Sequence, residues 1–170
     1  MTTPAAATVL ETPRLLLTPL RVEDADEMVT VLDDVRLHAF IGGQPAALDD
    51  LRDRYRTLLA GPADGGEIWL NWIVRLRDPR TAVGTMQATI SPGPPPVASV
   101  AWTVGVPWQR RGIATEAARA LVGWLRESGV DDITANIRPD HVASARVAAR
   151  AGLEPTDDVD AGEVVWRSGS

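Results

Sequence analysis

The chain has 170 residues, no cysteine, two histidines and a formal net charge of −6. This length suits one domain with its own core and no covalent staple, and the missing cysteine excludes disulfides, thiolate metal ligands and a cysteine nucleophile. The acidic balance argues against a nucleic-acid partner, which would want a basic face, and is compatible with a cationic one.

The opening "MTTPAAATVL" has neither a basic start nor a long apolar run. It reads as a flexible tail over residues 1–10 rather than a signal peptide or a membrane span. Residues 11–170 are expected to form a single domain, in the cytoplasm and away from membranes. "RLLLTPL" (Arg14 to Leu20) is a short apolar run between prolines and predicts a first strand. "VEDADEMVTVL" places acidic residues in a first turn and apolar ones at Val22, Ala25, Met28, Val29 and Leu32, which predicts a helix. The next segment, "DVRLHAFIGGQP", has no period and is expected to be irregular. "ALDDLRDRYRTLLAG" predicts a second helix with Leu48, Leu51, Tyr55, Leu58 and Leu59 on one face and Gly61 past its end.

The middle of the chain is strand-like. "IWLNWIVRL" and "TAVGTMQATI" read as strands joined by a turn at "RDPR", with Gly84 marking a bulge. Trp69 and Trp72 alternate with Leu70 and Ile73, so one face of this strand meets the core and the other is free to line a site. "SPGPPP" is a rigid loop leading to a further strand, "VASVAWTVG". Then "PWQRRGIATEAARALVGWL" runs from a glycine-bearing loop into a helix. Pro107 disfavours a helical start there, while Ala117, Leu121, Trp124 and Leu125 share one face and Gly129 supplies a stop. Gln109 to Ala114 therefore predicts a tight turn whose N–H groups open onto a helix N-terminus, a place suited to an anion such as phosphate. "DITANI" is a strand, "PDHVASARVAARAGL" a helix stopped by Gly152 and started by Asp140, and "GEVVWR" a last strand. The order implies mixed α/β architecture, one sheet with helices on both faces. His38 and His141 are too far apart for a paired metal motif, and no metal site is expected.

With this order, Gln109-Arg110-Arg111-Gly112-Ile113-Ala114 resembles the Q/R-x-x-G-x-G/A loop of the GNAT acetyltransferase superfamily. "TPRLLLTPL" followed by Asp24-Ala25, and "TVGVPWQRRGIATEAA", resemble the branch that acetylates N-termini of ribosomal proteins. "DHVASARVAARAGL" resembles that branch's N-x-x-S-x-x-x-x-x-x-x-G-F segment, with His141, Ser144, Gly152 and Leu153 at the patterned places. The likeness runs from about Glu11 to Trp166.

The resemblance implies the GNAT fold, an α/β (α+β) mixed and mostly antiparallel sheet of about six to seven strands, splayed between the fourth and fifth. It implies acetyl-CoA as co-substrate, with the pyrophosphate on Gln109, Arg110, Arg111, Gly112, Ile113, Ala114 and Thr115. The pantetheine arm would pair with Trp102, Thr103 and Val104, with an amide at or beside Val104 polarising the thioester carbonyl. Asn136, His141 and Ser144 would complete the cofactor side. His141 stands where the family usually has asparagine; it reads as a neutral contact, as an acid or base, or as the helix start. The family's common tyrosine acid is replaced by Ala148, and the one tyrosine is Tyr55. Ser144 is then the candidate donor to the leaving sulfur, its alternative being a helix-start hydroxyl. Glu67 is a candidate base or a solvated loop residue, with Asp157 and Asp158 as further candidates. His38, Phe40, Trp69 and Trp72 are candidates for the acceptor cleft. The implied function is acetyl transfer to a primary amine of a small molecule or protein N-terminus, by a monomer or homodimer. The alternative is a coenzyme A-binding module without catalysis.

Overall fold

Among the described residues, eight strands form one sheet: β1 (Leu10–Glu11), β2 (Leu15–Pro19), β3 (Ile68–Leu76), β4 (Ala82–Ser91), β5 (Val97–Val104), β6 (Asp132–Ile137), β7 (Leu153–Asp160) and β8 (Glu163–Ser168). The structure, a computed structural model, describes residues 2–169. The sheet order is β1-β2-β3-β4-β5-β6-β8-β7. Among the described residues, only the β5–β6 pair is parallel; its crossover is α4 (Ile113–Glu127), with α5 (Val142–Arg150) following β6. On the other face lie α1 (Ala25–Val31), α2 (Val35–Ile41) and α3 (Leu48–Ala60).

The period-two pattern of β3 divides the core. Leu70, Trp72 and Val74 join the large apolar cluster with Ala117, Leu121 and Leu125 of α4. Ile73 joins Met28, Leu51 and Tyr55 beneath α1 and α3. On that second face the buried Arg75 donates from Nη2 to Asp24 Oδ1 and from Nη1 to Glu27 Oε1, each at 2.8 Å. A buried guanidinium needs such partners, and the pair of bonds ties α1 to the sheet.

Helix α4 ends as its glycine predicts. Gly129 has φ +82, its N–H donates to Arg126 O, and Val130 N–H reaches back to Leu125 O, the double closure of a Schellman cap. The expected bulge also falls at Gly84, where the β3–β4 register shifts between Val74 and Arg75. A Cβ on Gly84 would collide with the Thr103 carbonyl, so the glycine lets β5 seat closely against β4.

Three expectations need correction. The segment after α1 is helical over Val35–Ile41, because Asp34 Oδ1 accepts from Arg36 N at 2.9 Å and caps α2, while the following "GGQP" is irregular as expected. Hydrogen bonds from Arg36 hold that carboxyl down at about 2, so the cap persists into acid. Leu153–Asp160, for which the sequence predicts no element, is strand β7 at the sheet edge, where its Pro155 is tolerated. Pro107 sits within a 3-10 turn, Val106–Trp108, rather than preventing one. In the segment read as a tail, Leu10 is buried in β1 and Thr8 O accepts from Trp72 Nε1 at 2.7 Å.

Candidate active site

The parallel pairing of β5 with β6 covers only Val97↔Asp132, Ala98↔Ile133 and Ser99↔Thr134. Beyond Ser99 the strands part. Gly105 N–H donates to Val83 O at 2.8 Å, on the β4 side. Backbone groups alternate in direction along a strand, so the N–H groups of Val104 and Trp102 face the opposite side, into the gap. The Val104 carbonyl, on that same side, accepts from Gln109 Nε2 at 3.0 Å. A cavity of about 370 Å³ occupies the gap, with Trp102, Asn136, His141, Ser144 and Glu163 among its walls.

The loop ahead of α4 is held in an unusual backbone conformation. Arg110 has φ +63 and Gly112, the N-cap of α4, has φ +76. A left-handed arginine costs on the order of 1 kcal/mol and so needs support. The N–H groups of residues 110–115 have no backbone acceptor among the described residues. Free donors at the positive end of a fifteen-residue helix make a fitting seat for phosphate oxygens. Ile113 contributes its backbone alone, since its side chain is in the core.

The opposite wall comes from α2. The Phe40 ring stacks on His141 with centroids 3.9 Å apart and planes at 13°. Arg138 lies 5.5 Å from the Phe40 centroid and donates to Ala39 O at 2.6 Å. Thus α2 and the start of α5 are tied across the cavity mouth. His141 is the N-cap residue of α5 without a side-chain capping bond, and Asp140 is paired with Arg138, so Asp140 is not the expected cap. Ser144 Oγ lies 3.5 Å from His141 Nε2 and, among the described residues, takes part in no hydrogen bond with a backbone amide.

Burial holds the His141 pKa below that of an ordinary histidine, against the opposing pull of Asp140 and with the help of Arg138. The folded site therefore resists a proton that the unfolded chain accepts. Stability is lost as pH falls below the unfolded value, about 6.5, and the loss is complete below the lowered folded value. We expect His141→Asn to abolish that dependence in thermal melts while keeping most activity, because an amide donates and accepts as neutral imidazole does. His141→Leu should raise the KM for acetyl-CoA. A loss of about 10²–10⁴ in rate with both variants, with one limb of the pH profile gone, would instead make His141 the acid or base.

Trp69 and Glu67 stand at a second cavity of about 290 Å³, walled also by Asn71 and Thr89; Gln87 borders both cavities and joins them along the open sheet face. Glu67 accepts from Trp69 Nε1 at 3.2 Å. Trp72 is corrected: it faces the other way, fully buried and edge-on to Trp124, because residues 69 and 72 fall on opposite faces of a strand. His38 is also corrected. Its ring nitrogens lie 3.0 and 3.1 Å from Gly42 O and Leu32 O, so it links the C-terminal end of α1 to that of α2 and lines neither cavity. Phe40 does line the larger one. Asn136 Nδ2 donates to Asp160 Oδ2 at 3.0 Å. Asp157 and Asp158 lie on β7 and border neither cavity. Tyr55 is buried under α1, its hydroxyl without a partner and its pKa pushed up to about 12 by burial, so it supplies no proton to the gap.

Gln87, Arg138 and Glu163 were not singled out from the sequence. The alternation of β4 could have flagged Gln87 as a polar residue on the open face; Arg138 and Glu163 carry no local signal. Among the described residues, no group of His, Asp and Glu is placed to hold a metal, and no helix is long and apolar enough to cross a membrane.

The sequence model of the acetyltransferase (GNAT) domain matches residues 14–154, and the chain belongs to this family. The fold is similar to that of an acetyltransferase from Agrobacterium tumefaciens str. C58, with 28% identity, TM-score 0.71, and coverage of 96% of this chain and 95% of that one. It is also similar to RimL, a ribosomal L7/L12 alpha-N-protein acetyltransferase solved with coenzyme A, at 13% identity, TM-score 0.79, and coverage of 94% and 97%. AAC(6')-Ib, solved with paromomycin and acetyl-CoA, aligns at 19% identity, TM-score 0.75, and coverage of 91% and 92%. No curated protein matches the sequence.

Proposed function

We propose that the protein is an acetyl-CoA-dependent N-acetyltransferase that acetylates a primary amine, of a protein N-terminus or a small molecule, by direct attack in a ternary complex. The observation that carries this reading is the parted edge of β5, where the N–H groups of Trp102 and Val104 point into the gap and Trp102 borders a cavity with polar and ionisable walls. An extended, amide-bearing arm such as pantetheine suits an unpaired strand edge, and the free N–H groups of residues 110–115 suit its pyrophosphate.

In this reading the Val104 N–H polarises the thioester carbonyl. The amine nitrogen attacks the carbonyl carbon, a C–N bond forms and the C–S bond breaks. The amine proton passes to a carboxylate, Glu163 beside the gap or Glu67 in the adjoining cavity, directly or through water. Ser144, on the cavity wall, donates toward the departing sulfur. The acceptor lies along the open sheet face between Trp69 and Phe40, past Gln87.

The test is thiol release from acetyl-CoA with a panel of peptides, aminoglycosides and polyamines, read with mass spectrometry of the amine. We expect an acetylated product with at least one class. Coenzyme A binding with no thiol release across the panel would leave the binding-module reading in its place.

A further inference from the structure

Arg14 lies far in sequence from the loop ahead of α4, and its head group is engaged with it. Its Nε donates to Glu116 Oε2 at 2.6 Å and its backbone N–H to Glu116 Oε1 at 3.0 Å. Its Nη1 donates to the Arg111 carbonyl at 2.9 Å. Its Nη2 lies 3.3 Å from where a Cβ on Gly112 would stand. Glu116, in the first turn of α4, also accepts from Thr12 Oγ1 at 2.6 Å. Burial would raise the Glu116 pKa, but the bonds from Thr12 and Arg14 outweigh it and hold the carboxyl below its ordinary value. The carboxylate is therefore charged throughout the neutral range.

The Arg111 carbonyl and the Gly112 N–H belong to one peptide plane. In a trans peptide the two point in opposite directions. Drawing the carbonyl toward Arg14 turns the Gly112 N–H away from Arg14, outward from the clasp. The same bond supports the left-handed conformation at Arg110, one residue upstream. Glu116 meanwhile fixes the guanidinium, so that its fork has only one orientation to offer.

We infer that Arg14, fixed by Glu116, is a positioning residue for coenzyme A: by holding the Arg111 carbonyl it aims the Gly112 N–H into the seat for the pyrophosphate. The inference rests on the coenzyme reading given above. It differs from a plain packing role because its effect is confined to ligands that carry the pyrophosphate, and from a plain charge role because it needs the two-pronged head group.

The experiment titrates wild type, Arg14→Met, Arg14→Lys and Glu116→Gln with coenzyme A and with pantetheine, which lacks the pyrophosphate, and follows tryptophan fluorescence. The Kd for coenzyme A should rise about 10- to 100-fold in Arg14→Met, the range expected for charged hydrogen bonds, with pantetheine binding unchanged within about twofold. Arg14→Lys should remain impaired, since one ammonium cannot reach Glu116 and the Arg111 carbonyl as the fork does. Glu116→Gln should fall between the two. Equal weakening of both ligands would reduce Arg14 to packing, and full recovery in Arg14→Lys would reduce it to charge; either result overturns the inference. Wild type that binds coenzyme A together with an unaffected Arg14→Met overturns it while sparing the coenzyme reading. Wild type that binds no coenzyme A overturns both.

Discussion

Gly112→Asp abolishes binding of coenzyme A. Two effects act together at this position. The backbone is left-handed at φ +76, a region where an L side chain is strained. The new carboxylate also carries negative charge to the N-terminus of α4, where the free N–H groups would otherwise meet phosphate. The N–H vectors and the charge both fail, so the loss should exceed that from Arg110→Ala or Arg111→Ala, each worth about 1–3 kcal/mol at most. Ligand-induced thermal stabilisation gives the measure. A mutant that coenzyme A stabilises as it does wild type removes the loop from the site.

Val104→Pro lowers turnover by about 10²–10³-fold at saturating acetyl-CoA, the range found when one oxyanion-type donor is removed. The substitution is selective for a reason visible in the ladder. Gly105, not Val104, donates to β4, so proline removes an N–H that takes no part in sheet pairing. Thr103, the next-to-last residue of β5, already has the extended conformation that a residue before proline prefers. The Val104 carbonyl and its bond from Gln109 remain available. Turnover compared with coenzyme A affinity tells the two roles apart: a fall in turnover with affinity kept assigns the amide to the reaction, while unchanged turnover rules it out.

Local rules explain which parts of the molecule the sequence discloses. Helices α3 and α4 announce themselves because their apolar stripes, first-turn acids and terminal glycines agree with one another. Helix α2 does not, because it buries Leu37 and shows no apolar stripe, and its start depends on one capping bond at Asp34. Strand β7 hides because an edge strand with an exposed face needs few apolar residues, and "LEPTDDVD" has few. At the site, the Gln109–Ala114 loop is legible since chain-local backbone geometry makes it. The partners of that loop are not. Arg14 meets Glu116 across 102 positions, Phe40 meets His141 across a similar distance, and no pattern within a window of sequence brings such residues together. Trp72 shows the remaining ambiguity, since alternation separates the two faces of β3 without saying which one turns inward.

The short β5–β6 pairing has a mechanical consequence. Three residue pairs join β1–β5 to the block formed by β6, β7 and β8, and the chain crosses between them once, through α4. The sheet is thus two leaves bound along a short spine. At the open margin they are fastened by a clip from α2, where Phe40 lies on His141 and the Ala39 carbonyl holds Arg138. Whatever enters between the leaves becomes part of what keeps them together, so the width of the opening is set as much by the occupant as by the chain.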